Sequence, residues 1–93
     1  MKTTEFLMVI SINNHLTVLH KITAAFLKRH MEIRSLNVTE SNMKGVSTVI
    51  IATCTEEEKI RRLIAYLNSV YDVIAAVYYQ SEHLLKQELN ASH

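Results

Sequence analysis

The chain predicts an α+β domain in which a four-stranded antiparallel sheet carries two helices on one face. Three observations lead there. The 93 residues divide into two halves of the same order, strand–helix–strand, so the elements run βαββαβ. Four segments alternate with a period of two or are apolar on both sides, and two segments show the three-to-four spacing of an amphipathic helix. There is no proline, and the single glycine falls between the second and third strands, so no interior stretch reads as a linker. This is the split-βαβ, or ferredoxin-like, plan. Residues 1–80 make one domain, and residues 81–93 form a C-terminal tail.

Thr4–Ile12 is the first strand. Phe6, Met8, Ile10 and Ile12 alternate with Leu7, Val9 and Ser11, and apolar character on both sides marks a central strand. Asn13-Asn14-His15 is a polar break with helix-capping chemistry. A helix then runs from about Leu16 to His30, with Leu16, Leu19, Ile22, Phe26 and Leu27 as its apolar stripe and Lys21, Lys28 and Arg29 toward water. Glu32–Ser41 is the second strand. It is more polar, as an edge strand is, and its change of spacing predicts a bulge near Arg34–Ser35. Gly45, in Asn42-Met43-Lys44-Gly45, supplies the positive φ of a hairpin.

Val46–Thr55, rich in β-branched residues, is the third strand. Cys54 lies on its apolar alternation and reads as a buried, inert thiol. Thr55-Glu56-Glu57-Glu58 reads as a capping box. The helix behind it carries Ile60, Leu63, Ile64 and Leu67 on one stripe, Arg61 and Arg62 outside, and ends near Asn68-Ser69. Asp72–Tyr79 is the fourth strand, apolar on both faces. Ser81–His93 has the pattern of one more short helix, with Leu84, Leu85 and Leu89 on one side.

Composition narrows the function. Ten basic and nine acidic side chains leave a net charge of +1, which argues against strong electrostatic binding of nucleic acid or an anionic membrane. RNA-recognition motifs share this element order, but their third strand carries base-stacking aromatics, and here those positions hold Val46, Thr48 and Ile51. No apolar run approaches the roughly 20 residues of a membrane span. One cysteine forms no internal disulfide, so the expected compartment is the reducing cytoplasm. The histidines, His15, His20, His30, His83 and His93, include no i, i+4 pair, and no C-x-x-C or phosphate-binding glycine loop follows the first strand. Neither a catalytic nor a metal-ligating set is predicted, and no cofactor is expected on this chain.

Two features point toward partners instead. An apolar content of 48% slightly exceeds what a core of this size hides, and the sheet face opposite the helices is left bare. The second strand has no proline and only Arg34 and two glutamates as guards, so it can pair with its own copy through the sheet edge. A ligand site is expected where the first strand turns into the first helix. Free amides at Leu16, Thr17 and Val18 can hold a carboxylate. Asn14 either helps there or simply caps the helix.

Asn14-His15-Leu16-Thr17-Val18-Leu19-His20-Lys21-Ile22, then Phe26-Leu27-Lys28-Arg29-His30-Met31-Glu32-Ile33-Arg34-Ser35-Leu36-Asn37-Val38, resembles the ACT domain of the regulatory (small) subunit of acetolactate synthase, also called acetohydroxyacid synthase. Leu67-Asn68-Ser69-Val70-Tyr71-Asp72-Val73 is similar to that family's stretch before the last strand. The resemblance covers about residues 5–79 and is to the short, single-domain members. It implies a non-catalytic, cytoplasmic accessory subunit in branched-chain amino-acid biosynthesis. Such a subunit binds and activates a catalytic subunit that uses thiamine diphosphate and magnesium. It also implies a homodimer formed through the sheet edge and first helix, with a small amino-acid effector such as valine at the interface. The effector residues it implies are Asn14, His15, Leu16, Thr17 and Val18 of one copy and Glu32 and Ile33 of the other. Thr17 and Glu32 replace the family's glycine and second asparagine, so activation is implied more firmly than feedback inhibition. The alternative is a free-standing ACT-type amino-acid-binding dimer acting on another enzyme.

Overall fold

The computed structural model describes residues 3–13 and 15–81, His15 by its backbone alone. The sheet consists of β1 (Thr4–Asn13), β2 (Ser35–Glu40), β3 (Val46–Thr55) and β4 (Val73–Gln80) in the order β2-β3-β1-β4, all neighbours antiparallel. Helices α1 (His15–Lys28) and α2 (Glu57–Leu67) bury their apolar stripes in one shared core against the sheet. The βαββαβ, ferredoxin-like plan is therefore the observed one.

The alternation of β1 builds that core. Phe6, Met8, Ile10 and Ile12 are fully buried, whereas Leu7, Val9 and Ser11 are only half-buried. Met8 stands between Ile51 of β3 and Tyr78 of β4, and Ile10 between Val49 and Ala76. Val18, Ile22, Ala25 and Phe26 of α1 and Ile60, Leu63 and Leu67 of α2 close over this row. Phe6 meets Tyr78 edge to face, with ring centroids 5.6 Å apart and planes at 79°. The other sheet face has no such cover among the described residues. Leu7, Val9 and Ile50 are half-buried there, and Val77 and Tyr79 remain 43% and 46% exposed.

The core stripe of α1 differs from the expected one. Leu16 and Leu27 are 77% and 78% exposed, while Val18 and Ala25 take the inner positions. A helix this short presents several apolar arcs, and only its docking angle selects one. The helix also stops two residues early. His30 adopts φ +55°, its amide donates to the Leu27 carbonyl at 3.1 Å, and the Met31 amide donates to the Phe26 carbonyl at 2.9 Å. That is a Schellman closure with histidine in the left-handed position. Arg29 does not simply face water either. It is half-buried, with its guanidinium 4.9 Å from the centre of the Tyr66 ring and donating to the Ala25 carbonyl.

Three other local expectations are corrected. The second strand begins at Ser35, so residues 32–34 lead into it and the Arg34–Ser35 bulge does not form; the register shift lies between β1 and β4 at Ser11/Ile12. The capping box does not form. Thr55 is buried as the last residue of β3, Glu56 holds the N-cap position without a side-chain hydrogen bond, and Glu58 turns outward to Arg61 and Arg62. The sheet ladder claims Thr55 before the helix can. Cys54 is half-buried on the uncovered face rather than in the core.

Asn68 ties the end of α2 to β4. Its Nδ2 donates to the Ile64 and Ala76 carbonyls, and its Oδ1 accepts from the Ala76 amide at 2.9 Å. The tail expected at 81–93 lies outside the described residues beyond Ser81.

Phe26→Ala is expected to destabilise the fold by about 3–5 kcal/mol through loss of a buried ring. Leu27→Ala, one position along, should stay within about 0.5 kcal/mol, as exposed sites do. In urea denaturation the Leu27 variant distinguishes the observed stripe from the expected one, and the Phe26 variant, common to both, sets the scale of a buried position.

Candidate functional site

Residues that could meet a ligand cluster where α1 begins. The register sets Asn13, the last residue of β1, opposite Val46, the first residue of β3. The β2–β3 hairpin is thereby fixed beside the first turn of α1. Between them lies an open cavity of about 390 Å³ lined by Leu16 of α1 and by Glu40, Ser41, Met43, Lys44, Gly45, Val46 and Ser47. Its size is in the usual range for a small-molecule pocket.

The hairpin that walls this cavity has a defined shape. Gly45 sits at φ +82°, the Ser41 amide donates to the Val46 carbonyl at 2.9 Å, and the Val46 amide returns to the Met43 carbonyl at 3.1 Å. The lining combines one carboxylate, one ammonium and the apolar side chains of Leu16 and Met43, and Leu16 stands in the first turn of α1, where backbone amides have no acceptor further back in the helix. Such a set complements a small zwitterion with an apolar side chain.

The expected site residues are not all brought together. Leu16 and Thr17 are exposed at the helix start. Val18 contributes only its backbone, because its side chain is fully buried in the core. Asn14 and the His15 side chain lie outside the described residues. Glu32 and Ile33 lie at the other end of the sheet. Thr53, which pairs with Phe6, donates its hydroxyl to the Glu32 carbonyl at 2.6 Å. From Phe6 to Asn13 the strand advances seven residues, about 23 Å. No small ligand spans that distance within one chain. Glu32 is exposed beside Arg34 at 3.8 Å, a pairing that counts for little in water, and Ile33 packs half-buried against the core.

The sequence reading treated 42–45 as a turn and missed its part in the cavity. The signal was available in the topology: in any βαββαβ sheet the β2–β3 hairpin returns to the end where α1 begins. Among the described residues no three His, Cys, Asp or Glu side chains converge as a metal set would need, and no helix is long and apolar enough to cross a membrane.

A family model described as the AHAS small subunit-like ACT domain matches residues 8–75. The acetolactate synthase small subunit of Bacillus subtilis (strain 168) is 29% identical over 84 residues, which is 89% of this chain and 49% of that protein. Among solved structures, the acetolactate synthase small subunit of Thermotoga maritima superposes with a TM-score of 0.70 at 23% identity, covering 80% of this chain and 46% of the other. The ACT domain of GTP pyrophosphokinase from Chlorobium tepidum superposes with a TM-score of 0.71 at 16% identity, covering 84% of this chain and 100% of the other. The chain thus spans about half the length of the small subunits it matches.

Gly45→Ala tests the hairpin wall. The added Cβ meets no atom within 4 Å, so the cost is the left-handed backbone alone. A loss of about 1 kcal/mol is expected in thermal or chemical unfolding.

Proposed function

The chain belongs to the AHAS small subunit-like ACT domain family, and on that premise we propose that it is a non-catalytic regulatory subunit of acetolactate synthase. The match over residues 8–75 carries this reading. In it the chain binds and activates the catalytic subunit in branched-chain amino-acid biosynthesis, in the cytoplasm. Thiamine diphosphate and magnesium belong to that partner, where they supply the carbon–carbon chemistry. This chain contributes contact and control.

The proposal extends to the effector. Leu16–Val18 and Glu32–Ile33 stand about 20 Å apart in one chain, but an antiparallel pairing of two β2 edges closes that gap. A two-fold axis at the middle of Ser35–Glu40 sets Ser35 of the partner subunit opposite Glu40. It carries Ile33 and Glu32 of the partner subunit to the hairpin at 42–43, over the cavity walled by Leu16 and Met43. The outer edge of β2 supports this. Among the described residues the strand pairs only with β3, it has no proline, and all its residues but Leu36 are exposed. A small amino acid such as valine would set its carboxylate on the first-turn amides of α1 and its ammonium near Glu32 or Glu40. In this reading Thr17, where the family has glycine, adds a Cβ and a hydroxyl beside the effector, and activation is proposed more firmly than inhibition.

Mixing the purified chain with the acetolactate synthase catalytic subunit tests the reading. The two should co-elute, and acetolactate formation should rise several-fold. A catalytic subunit that neither binds the chain nor gains activity from it sinks the reading. Light scattering of the chain alone at ~10 μM should give twice the 10.7 kDa of one copy. Calorimetry against the amino acids should find one binder, weakened by Glu32→Ala. Tight amino-acid binding without synthase contact would favour the free-standing regulator.

A further inference from the structure

The helix layer carries a charge pattern that neither the core nor the effector site uses. Lys21 and Lys28 of α1, with Arg29 just beyond its end, face Lys59, Arg62 and Tyr66 of α2 across a groove on the outer side of the molecule. Two cavities, of about 210 and 230 Å³, open along it and meet at Arg29. Helix α1 contains no Asp or Glu in fourteen residues, and α2 contains none after Glu58. Among the described residues, the one groove cation in an ion pair is Arg62, whose partner Glu58 is shared with Arg61.

Helix chemistry does not account for these positions. Lys28 and Arg29 suit the negative C-terminal end of α1. Lys21, however, is mid-helix with Thr17 and Ala25 at i±4, so no carboxylate supports it. Lys59 stands in the first turn of α2, where a cation opposes the helix dipole. The net charge of +1 hides this stripe, because only two of the nine acids, Glu57 and Glu58, belong to α1 or α2.

We propose that the α1–α2 groove is the docking surface for an acidic segment of a protein partner, the catalytic subunit in the reading given above, on which this inference rests. Lys21 and Lys28 are two helical turns apart, about 10 Å, which matches carboxylates spaced along one face of a peptide or helix. Ala24, Ala25 and the Tyr66 ring lie between the cations, beside His20, and give a polypeptide apolar surface on which to pack side chains. Arg29 is held in place by the Ala25 carbonyl and the Tyr66 face, so one cation is already ordered before contact. Charges arranged in this way steer association and set its salt dependence.

The test compares wild type with the variant K21E/K28E/K59E, measured against the catalytic subunit by calorimetry at low and high salt. All three side chains are exposed, and circular dichroism checks that the variant folds. At low salt the triple reversal is expected to weaken binding at least about tenfold and to flatten the salt dependence, with K21Q/K28Q/K59Q between the two. R61E changes charge on α2 outside the groove and should stay within about twofold. If wild type binds and the reversed variant binds equally, this inference falls and the regulatory reading stands. If wild type does not bind at all, both fall. A single-stranded RNA shift that disappears on reversal would give the groove to a different class of ligand and overturn the inference.

Discussion

Phe6, Met8, Ile10 and Ile12 of β1 hold the molecule together. They form the row on which β3, β4 and both helices converge, and all four are fully buried. Each side chain taken from water contributes about 1.5–3 kcal/mol, and the row cannot be covered from the other side of the sheet. A strand has two faces and the described residues form one helix layer, so burying the even row leaves the odd row half-covered. The exposed aromatic and aliphatic side chains on the far face, Val77 and Tyr79 among them, follow directly from that choice. So does the placement of Cys54, which shares their side.

The same topology assigns each surface a chemistry. The uncovered sheet face is apolar, the β2 edge offers unpaired backbone groups, and the helix layer carries lysines and arginines. These three surfaces point in different directions and do not compete for one partner. The ends of the sheet differ as well. The β2–β3 hairpin and the start of α1 share one end with a cavity between them, while Glu32 and Ile33 sit at the opposite end, anchored by Thr53. A site that uses both ends is incomplete in one copy.

Much of the fold was legible in the residues. Period-two alternation located β1, β3 and β4 to within a residue or two, since a strand with one row buried has no freedom to slip by one. The stripe Ile60, Leu63, Leu67 located α2. Errors fell where two local signals compete. Thr55 can cap a helix or finish a strand, and the ladder with Thr4 decided for the strand. His30 looks like a helix residue, yet a non-glycine left-handed turn there ends α1, supported by the Phe26 and Leu27 carbonyls. Leu16 and Leu27 have the right spacing for a core stripe, but the docking of α1 on the sheet selects Val18 and Ala25 in their place, beside the expected Ile22 and Phe26. Of the expected ligand residues Leu16 lines the cavity, while Glu40, Met43 and Lys44 enter it only through the return of the hairpin.

By itself the amino-acid order determined the element sequence, the antiparallel pairing plan, the family likeness and the lack of catalytic or metal-binding spacings, because these depend on neighbours within a few positions. Only the packed structure decided which face of β1 is covered, which arc of α1 is buried, how far Leu16 stands from Glu32, and that cations from two helices line one groove. Those properties depend on the angle and register at which distant segments meet, and local spacing places no constraint on either.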